Sequence, residues 1–320
     1  MREVVAVTGA SGFVGSALFR GLIDRNALVR PVLRSAEIAS RYPGAVVVPE
    51  LDGNTDWSVS LKDMDVVIHA AARAHIMRDE SLDPLTEYRR VNVQGTLKLA
   101  RQAAHAGVRR FVFLSSVKVS GESTACTVFT ANDTAAPGDP YALSKWEAEQ
   151  GLREIASQTG MEVVVVRPPL VYGSGVKGNF ARLLNLVRSG VPLPLAAVNN
   201  RRSFIGLDNL VDLLVRCVDH PRAAGQTLLV SDGQDLSTPE LLRMIAKAMG
   251  RTARLFPVPV PFLRLAGRAL GRFNEVDRLV GSLQVDSSAT RELLGWIPPA
   301  SVEEGVRRMV RGYLAGRGAG

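Results

Sequence analysis

A tyrosine and a lysine four residues apart are the pair most suited to chemistry in this 320-residue sequence. Tyr141 and Lys145 stand in the segment YALSK, which has a helical pattern. Because residues four apart share one face of a helix, the two side chains are expected to lie side by side. A phenol with an ordinary pKa of about 10 is a poor proton carrier at neutral pH, but a neighbouring ammonium stabilises the phenolate. The pair predicts a tyrosine acid/base whose pKa the lysine lowers.

A glycine-rich turn near the N-terminus is the second chemical signal. The predicted strand Glu3–Thr8 leads directly into three glycines, and the helical pattern Ser16–Arg25 follows. Gly9 would permit a tight turn, Gly12 a close approach to a pyrophosphate, and Gly15 close packing of helix on strand. The helix N-terminus would supply free N–H groups and a positive dipole for the phosphates. This arrangement predicts a dinucleotide site.

The elements that position these residues alternate between buried strands and helices. The strands read as continuous runs rich in Val, Ile and Leu, which is typical of parallel strands covered on both faces. The helical patterns include Pro84–Gly107 and Tyr141–Thr159. The alternation predicts an α/β fold with a Rossmann-like, doubly wound parallel sheet. Its predicted strands are Glu3–Thr8, Leu28–Leu33, Ala45–Pro49, Asp65–Ala70, Arg110–Ser115 and Glu162–Arg167.

The pattern changes after Arg167, where prolines mark loops and the strand spacing is lost. We predict a dinucleotide-binding domain over residues 1–170 with a return at about 203–232. A smaller substrate-binding part would comprise residues 171–202 and 233–320. The return would use two short apolar runs, Ser203–Leu207 and Gln226–Val230.

Four further helices are predicted in the second half. One spans about Val176–Arg188. Two begin at capping boxes, Ser237 with Glu240 and Ser301 with Glu304. The segment Val258–Phe273 mixes leucines with arginines. It could lie in a membrane interface, but we favour a packed helix with a basic outer face.

Charge and composition limit the possible classes of protein. The net charge is +8, and the basic residues are scattered rather than clustered, which argues against nucleic acid and fits an anionic small molecule. No apolar run reaches the roughly 18 residues of a spanning helix, and no signal peptide is evident, so we expect no stable membrane insertion and a cytoplasmic location. The four histidines and two cysteines lack metal-binding spacing, so we expect no metal.

The glycine spacing GxxGxxG, together with YxxxK, resembles the extended short-chain dehydrogenase/reductase family. The resemblance covers nearly the whole chain and implies that Tyr141 is the acid/base, while Lys145 also holds the nicotinamide ribose. In this family a serine at the end of a strand hydrogen-bonds the reacting oxygen. Counting back from Gly121 by the family pattern selects Ser116 over Ser115 for this role.

The same resemblance implies a cofactor site along the sheet. The segment His69 to Ala72 is similar to the family's HxAA, whose small residues let the cofactor lie against the sheet, with His69 in a structural role. Asn92 matches the family's helix asparagine, a supporting hydrogen-bonding residue. The implied cofactor-binding residues are Gly9, Ser11, Gly12, Phe13, Val14, Gly15, Arg34, Leu51, Ala70, Ala71, Ala72, Asn92, Ser115, Tyr141, Lys145 and Pro168.

The end of the second strand bears on which dinucleotide binds. Members of the family that prefer NAD usually have an acidic residue there, on the ribose hydroxyl groups. Here Leu33 takes that position and Arg34 follows. Because an arginine can pair with a 2′-phosphate, this arrangement favours NADP(H), with NAD(H) possible.

The resemblance also implies a nucleotide-sugar substrate. Two arginines, Arg202 and Arg278, could together bind the diphosphate of such a substrate. The implied substrate-binding residues are His75, Ser116, Asn179, Arg202 and Arg278.

Within the family, the chain is similar to bacterial 4-reductases of surface-polysaccharide (lipopolysaccharide) synthesis. These reduce UDP-2-acetamido-2,6-dideoxy-hexos-4-ulose to a UDP-N-acetylquinovosamine-type product. Val117 and Lys118 stand where sugar dehydratases carry acidic residues, which argues against a dehydratase. The alternatives are a UDP-hexose or UDP-N-acetylhexosamine 4-epimerase with tightly bound NAD, and a non-catalytic dinucleotide-binding scaffold or sensor. The family implies a homodimer built from the helices Pro84–Gly107 and Tyr141–Thr159.

Overall fold

A seven-stranded parallel sheet lies at the centre of the computed structural model, which describes residues 3–74, 83–125 and 127–316. The strands are β1 Val4–Thr8, β2 Leu28–Leu33, β3 Val46–Val47, β4 Val66–His69, β5 Arg110–Leu114, β6 Glu162–Arg167, β7 Leu170–Tyr172, β8 Phe204–Gly206 and β9 Thr227–Leu229. The large sheet has the order β3-β2-β1-β4-β5-β6-β9, and each neighbouring pair is parallel. The direction of winding reverses between β1 and β4, which confirms the predicted Rossmann-like doubly wound sheet.

Strand bounds follow the apolar runs of the first half. The predicted strands Leu28–Leu33 and Glu162–Arg167 agree with β2 and β6 to the residue. β3 is shorter than the predicted Ala45–Pro49, because only its two residues pair with β2 and it lies at the edge of the sheet. An edge strand has a partner on one side only, so fewer backbone hydrogen bonds hold its ends.

The run Ser203–Leu207 does not return to the large sheet, contrary to our prediction. β8 pairs in parallel with β7 and forms a separate two-stranded sheet. The physical reason lies in the two residues between β6 and β7, Pro168 and Pro169. Proline has no N–H to donate to a strand ladder, so the large sheet ends there and β7 pairs with β8 instead. The second predicted return, Gln226–Val230, is confirmed, because β9 pairs with β6.

Helices cover both faces of the large sheet. The helix predicted over Pro84–Gly107 is present, but its middle, Arg89–Gly95, winds as a wider π-helical turn. Such turns are rare and often lie at functional sites. The helices are α1 Phe13–Ile23, α2 Ala36–Ala39, α3 Ser58–Leu61, α4 Pro84–Tyr88, α5 Thr96–His105, α6 Pro140–Thr159, α7 Gly178–Ser189, α8 Leu207–Asp219, α9 Thr238–Ala248, α10 Val260–Ala269, α11 Phe273–Val280, α12 Ser288–Leu294 and α13 Val302–Ala315.

Buried apolar side chains form a separate core on each face of the large sheet. One core includes Leu18 of α1 and Leu214 of α8, and the other includes Leu99 of α5 and Leu152 of α6. A third core joins α7, α9 and α13, around residues such as Leu242. That third core lies in the part of the chain predicted to bind substrate, and the domain boundaries themselves stay a prediction.

The ends of the later helices differ from one another in how they are capped. At α9 the capping box is complete, because Ser237 and Glu240 each bond the other's main-chain N–H. At α13 only the Ser301 half forms, since the Glu304 carboxylate accepts from Arg308 instead.

The helical segment predicted near 258–273 divides into α10 and α11 around Gly271, whose φ is +66°. Within the described residues no helix is both long and apolar enough to cross a bilayer.

Candidate active site

The glycine turn between β1 and α1 is shaped for close approach of a ligand. Gly9 has a φ of +70°, and a Cβ there would lie 2.8 Å from the main-chain nitrogen of Ala71. A Cβ on Gly15 would lie 2.1 Å from the carbonyl oxygen of Gly9, so any side chain would push the helix away from the turn. Gly12 closes the turn by donating its N–H to Gly9 (2.8 Å) and stands at the N-cap of α1 without a capping side chain. The backbone N–H groups there suit a dinucleotide pyrophosphate.

The residues expected to line the cofactor surround this turn. Ala70, Ala71 and Ala72 follow β4, half-buried, beside Gly9. Ser11 is exposed at the tip of the turn, whereas Phe13 and Val14 pack partly onto the core under α1. The small alanine side chains leave the surface next to the glycine turn open for a flat ligand.

His69 lies beneath these alanines as a structural residue. Its ring nitrogens bond the hydroxyl groups of Thr8 (2.7 Å) and Thr96 (3.0 Å), and its ring stacks on Phe113. Burial, together with the charge of Lys145, lowers the pKa of His69 to about 3. The imidazole is therefore neutral at physiological pH and joins β1, β4 and the helix start at Thr96.

The predicted adenine-side residues lie at the same carboxyl edge of the sheet. Leu33 is the last residue of β2, and Arg34 follows it fully exposed. Leu51 is half-buried against Gly95, where a Cβ would come within 2.9 Å of the Leu51 carbonyl carbon. An exposed arginine here is free to approach a ligand phosphate or to remain solvated.

Lys145 is buried in the first half of α6. Its ammonium donates to the Leu114 carbonyl at the end of β5 (2.9 Å) and lies 4.4 Å from the ring centroid of Phe113. Burial lowers its pKa to about 7, and the Glu149 carboxylate offsets this only in part. Burial therefore disfavours the charged form of this amine.

Tyr141 lies one turn earlier on α6, half-buried, with its ring edge-on to Tyr88 at 6.0 Å. Its pKa lies above the ordinary range because burial, the Asp139 carboxylate and Tyr88 all disfavour the phenolate. This differs from our prediction that Lys145 lowers the pKa of the tyrosine. The reason is that the lysine donates to the Leu114 carbonyl, while burial disfavours its charged form.

The two serines after β5 have different surroundings. Ser115 is buried, and its hydroxyl donates to the Glu149 carboxylate at 2.5 Å. Glu149 is also paired with buried Arg167 at 2.6 Å. Ser116 is half-buried, and its hydroxyl accepts only a weak bond of 3.3 Å from the main chain of Lys118. Its hydroxyl is consequently the more available of the two to a ligand.

An ion pair that the sequence did not predict links the turn at Ser116 to the start of α6. Lys118 lies two residues after Ser116, and its ammonium bonds the carboxylate of Asp139. Asp139 also caps α6 by accepting the Ala142 N–H (2.7 Å). Burial alone would raise the pKa of Asp139, but the bonds from Lys118 and Ala142 outweigh it and the pKa is lowered. The sequence signal available was an aspartate directly before Pro140, typical of an N-cap.

Asn92 performs a supporting role from the π-helical turn. Its side-chain carbonyl accepts the Arg73 N–H (2.8 Å), and its amide donates to the Arg73 carbonyl (3.1 Å) and the Ser144 hydroxyl (3.0 Å). It thereby joins the segment after the alanines to α6. Pro168 is buried after β6, and its carbonyl accepts the Val117 N–H (3.0 Å), which fixes the turn that follows Ser116.

The predicted substrate residues are brought together only in part. Arg202 is half-buried and donates to the carbonyls of Arg278 (2.8 Å) and Gly281 (3.0 Å). Burial, reinforced by the charge of Arg278, lowers the pKa of Arg202. Arg278 is exposed, and its charge also acts on Asp139 at the start of α6. The two arginines therefore form a cationic pair near the start of α6, which suits an anionic ligand.

Two predicted substrate residues remain, Asn179 and His75. Asn179 is exposed in the first turn of α7. His75 lies outside the described residues. The described part of the chain holds no group of three His, Cys, Asp or Glu side chains that could bind a metal.

Comparison with known proteins agrees with this fold. Residues 5–230 match the model of the NAD dependent epimerase/dehydratase family. The chain is 45% identical to a UDP-glucose 4-epimerase of Vibrio cholerae, over 98% of this chain and 96% of that protein. It is 24% identical to an N-acetyl-alpha-D-glucosaminyl-diphospho-ditrans,octacis-undecaprenol 4-epimerase of Escherichia coli O157:H7, over 97% and 95%. The chain belongs to the NAD-dependent epimerase/dehydratase family, whose enzymes include those that act on nucleotide sugars.

Solved structures share the fold across the whole chain. A UDP-glucuronic acid 4-epimerase from Bacillus cereus, in complex with UDP-glucuronic acid and NAD, superposes with a TM-score of 0.78 at 20% identity, covering 98% of this chain and 99% of that one. A UDP-N-acetylglucosamine 4-epimerase from Methanobrevibacter ruminantium M1 gives a TM-score of 0.79 at 19% identity, with 98% and 99% covered. The preference for NADP(H) inferred from Arg34 finds no support in a family described as NAD dependent.

Proposed function

We propose that this protein is a UDP-sugar 4-epimerase that uses bound NAD. The observation that carries the proposal is the 45% identity, over nearly the full length of both chains, to a protein named UDP-glucose 4-epimerase. Our sequence interpretation placed a 4-ketoreductase first and this epimerase second. The two reactions use the same tyrosine, lysine and serine, so the catalytic residues alone do not separate them. The similarity to the epimerase therefore makes the epimerase our first proposal and the reductase our second.

The proposed roles of the side chains follow from their positions. When bound, NAD supplies the reversible oxidation of carbon 4 of the sugar. Tyr141 takes the proton of the 4-hydroxyl group and returns it when the configuration is inverted, which requires that the bound ligands lower the raised pKa of the phenol. Ser116, whose hydroxyl is the more available of the two serines, hydrogen-bonds the same oxygen. Lys145 would hold the nicotinamide ribose from its buried position beside Leu114.

The substrate is proposed to be held by its diphosphate. Arg202 and Arg278 form the cationic pair beside α6, and the net charge of +8 favours an anionic substrate in general. Asn179 and His75 remain proposed contacts to the sugar. Because the diphosphate is common to all UDP-sugars, this pair would fix the nucleotide while the sugar reaches Tyr141.

The cofactor is proposed to be NAD held along the glycine turn. An epimerase leaves its cofactor unchanged after each turnover, so a tightly held dinucleotide is suited to the reaction. The close packing at Gly9 and Gly15 and the uncapped start of α1 fit a pyrophosphate. Arg34 remains exposed at the position where a 2′-phosphate would lie, so the identity of the extracted dinucleotide tests this choice directly.

Two further features stay predictions of the family resemblance. One is a homodimer formed through α4, α5 and α6. The other is a cytoplasmic location. Sedimentation of the purified protein at several concentrations tests the first, and cell fractionation tests the second.

The deciding experiment compares two assays on one preparation. In the first, the protein is incubated with UDP-glucose or UDP-N-acetylglucosamine without added reductant, and the 4-epimer is measured by chromatography. In the second, UDP-2-acetamido-2,6-dideoxy-hexos-4-ulose is mixed with NADPH or NADH, and loss of nicotinamide absorbance is followed. We expect the 4-epimer in the first assay, and NAD among the molecules released on denaturation. Stoichiometric oxidation in the second assay, with no epimer in the first, would establish the reductase instead.

A further inference from the structure

Helix α10 leaves most of its surface uncovered. Of the residues Val260–Ala269, only Leu263 and Gly267 are buried, and both face the body of the protein. Phe262 and Leu265 are each 63% exposed, and Leu270 just after the helix is 73% exposed. Because positions three apart share a helix face, Phe262 and Leu265 form one apolar stripe. Single exposed apolar residues are ordinary, but three bulky ones on one short segment are not.

Within the chain segment that carries this stripe, every charged side chain is an arginine. Residues 251–272 contain no aspartate or glutamate. Arg264 pairs with Asp277 of α11 (3.0 Å), and the Arg268 guanidinium lies 4.9 Å from the ring centroid of Phe273. The arginines of this segment are Arg251, Arg254, Arg264, Arg268 and Arg272. We call this combination of apolar stripe and arginines the α10 patch.

We propose that the α10 patch binds the surface of an anionic lipid bilayer. Aromatic and leucine side chains insert into the boundary between head groups and acyl chains, while arginines beside them pair with anionic head groups. The charge of the patch selects this occupant over a second copy of the chain, since a symmetric contact would place the arginines of one copy against those of the other. The inference concerns binding only and does not depend on the proposed epimerase activity.

The patch is joined to the substrate-binding residues through α11. Gly267 of α10 packs so closely on α11 that a Cβ would lie 2.8 Å from the Val276 side chain. Two residues further along α11 stands Arg278, one of the cationic pair. A protein bound through the patch would therefore hold its proposed diphosphate contact near the membrane surface.

The test is co-sedimentation of the whole protein with lipid vesicles. Vesicles of phosphatidylcholine alone are compared with vesicles that also contain phosphatidylglycerol, at low and high salt. The test variant is Phe262→Ser with Leu265→Ser. The matched control is Val59→Ser with Ile297→Ser, which removes two apolar side chains elsewhere that are even more exposed, at 69% and 82%. A charge variant, Arg268→Gln with Arg272→Gln, tests the electrostatic part.

We expect the wild type and the control to bind the anionic vesicles and not the neutral ones. The test variant should bind at least about tenfold more weakly, and the charge variant should lose most of the salt-sensitive binding. Equal binding of the test variant, or no binding of the wild type to anionic vesicles, would overturn the proposal. The proposal would also be overturned if light scattering showed that the wild type forms a dimer and the test variant does not. Turnover of a soluble UDP-sugar by the test variant should match the wild type, which separates this result from failure of the proposed function.

Discussion

Ser115 and Ser116 are neighbours in sequence whose hydroxyl groups lie in different surroundings. The first is buried against the Glu149 carboxylate, which is itself paired with Arg167. The second is half-buried and accepts a weak bond from the main chain of Lys118. The sequence distinguished the two serines only by counting along a family pattern. Side chains alternate between the two faces of a strand, but β5 ends before the serines, so this alternation does not predict where either hydroxyl points. The structure assigns each hydroxyl its own partners.

Replacing each serine by alanine should therefore have opposite effects. Ser116→Ala should lower kcat by roughly 10- to 100-fold with little change in stability, because it removes a hydrogen bond to the reacting oxygen. Ser115→Ala should retain most of kcat but lower the free energy of unfolding by about 1–2 kcal/mol, because a buried carboxylate loses a donor. Steady-state kinetics and urea unfolding of both variants measure this. If Ser115→Ala lost turnover and Ser116→Ala did not, the catalytic hydroxyl would be that of Ser115.

The ion pair of Lys118 with Asp139 acts at the scale of elements. It joins the turn after β5, which carries Ser116, to the start of α6, which carries Tyr141. Asp139 also disfavours the tyrosinate through its charge, and Lys118 partly neutralises that charge. The pair is therefore placed both to fix Ser116 relative to Tyr141 and to affect the pKa of the phenol.

Two substitutions should shift the pH profile of kcat in opposite directions. Asp139→Asn keeps the helix cap but removes the negative charge near Tyr141, so the profile should move to lower pH. Lys118→Met leaves the aspartate charge unbalanced, so the profile should move to higher pH. We expect shifts of roughly 0.5 to 1 pH unit. Profiles that move together, or losses of activity without any shift, would mean that the pair acts through packing alone.

The glycine turn also connects elements, since it fixes the distance between β1 and α1. Gly15→Ala would bring a Cβ within 2.1 Å of the Gly9 carbonyl oxygen, so the helix must move. We expect this variant to lose bound dinucleotide and to unfold at a lower temperature. The matched control is Gly53→Ala, where a Cβ would meet nothing closer than 3.6 Å. Cofactor release and thermal unfolding measure both variants, and full cofactor content in Gly15→Ala would refute this explanation of the turn.

At the scale of the whole molecule, local patterns predicted the large sheet but not every pairing. The run of β6 was recognisable because its four consecutive valines are buried, as expected for a strand covered on both faces. The runs at β8 and β9 look alike, yet β8 pairs with β7 and β9 with β6. The π-helical turn at Asn92 was likewise not predictable, because its asparagine bonds Arg73 and Ser144, which are distant in sequence. Contacts between remote segments decided each of these features.

Buried His69 should make the whole fold sensitive to acid. Its folded pKa of about 3 lies below the 6.5 of an ordinary imidazole, so the unfolded chain binds more protons between these values. The stabilisation is therefore complete above pH 6.5 and is lost as the pH falls toward 3, at a slope of at most about 1.4 kcal/mol per pH unit. In His69→Gln this part of the slope should vanish. Urea unfolding of both proteins between pH 4 and 7 measures it, and parallel slopes would contradict the assignment.

The last strand of the large sheet has a consequence for how the chain is made. β9 begins at Thr227, although β6, which it pairs with, is complete at Arg167. While the ribosome adds the intervening residues, the growing chain presents β6 as an apolar strand with a free edge. Such an edge is a template for pairing with another chain. Slow translation of this interval should therefore favour aggregation of the nascent protein, and fast translation or a chaperone that covers β6 should favour folding.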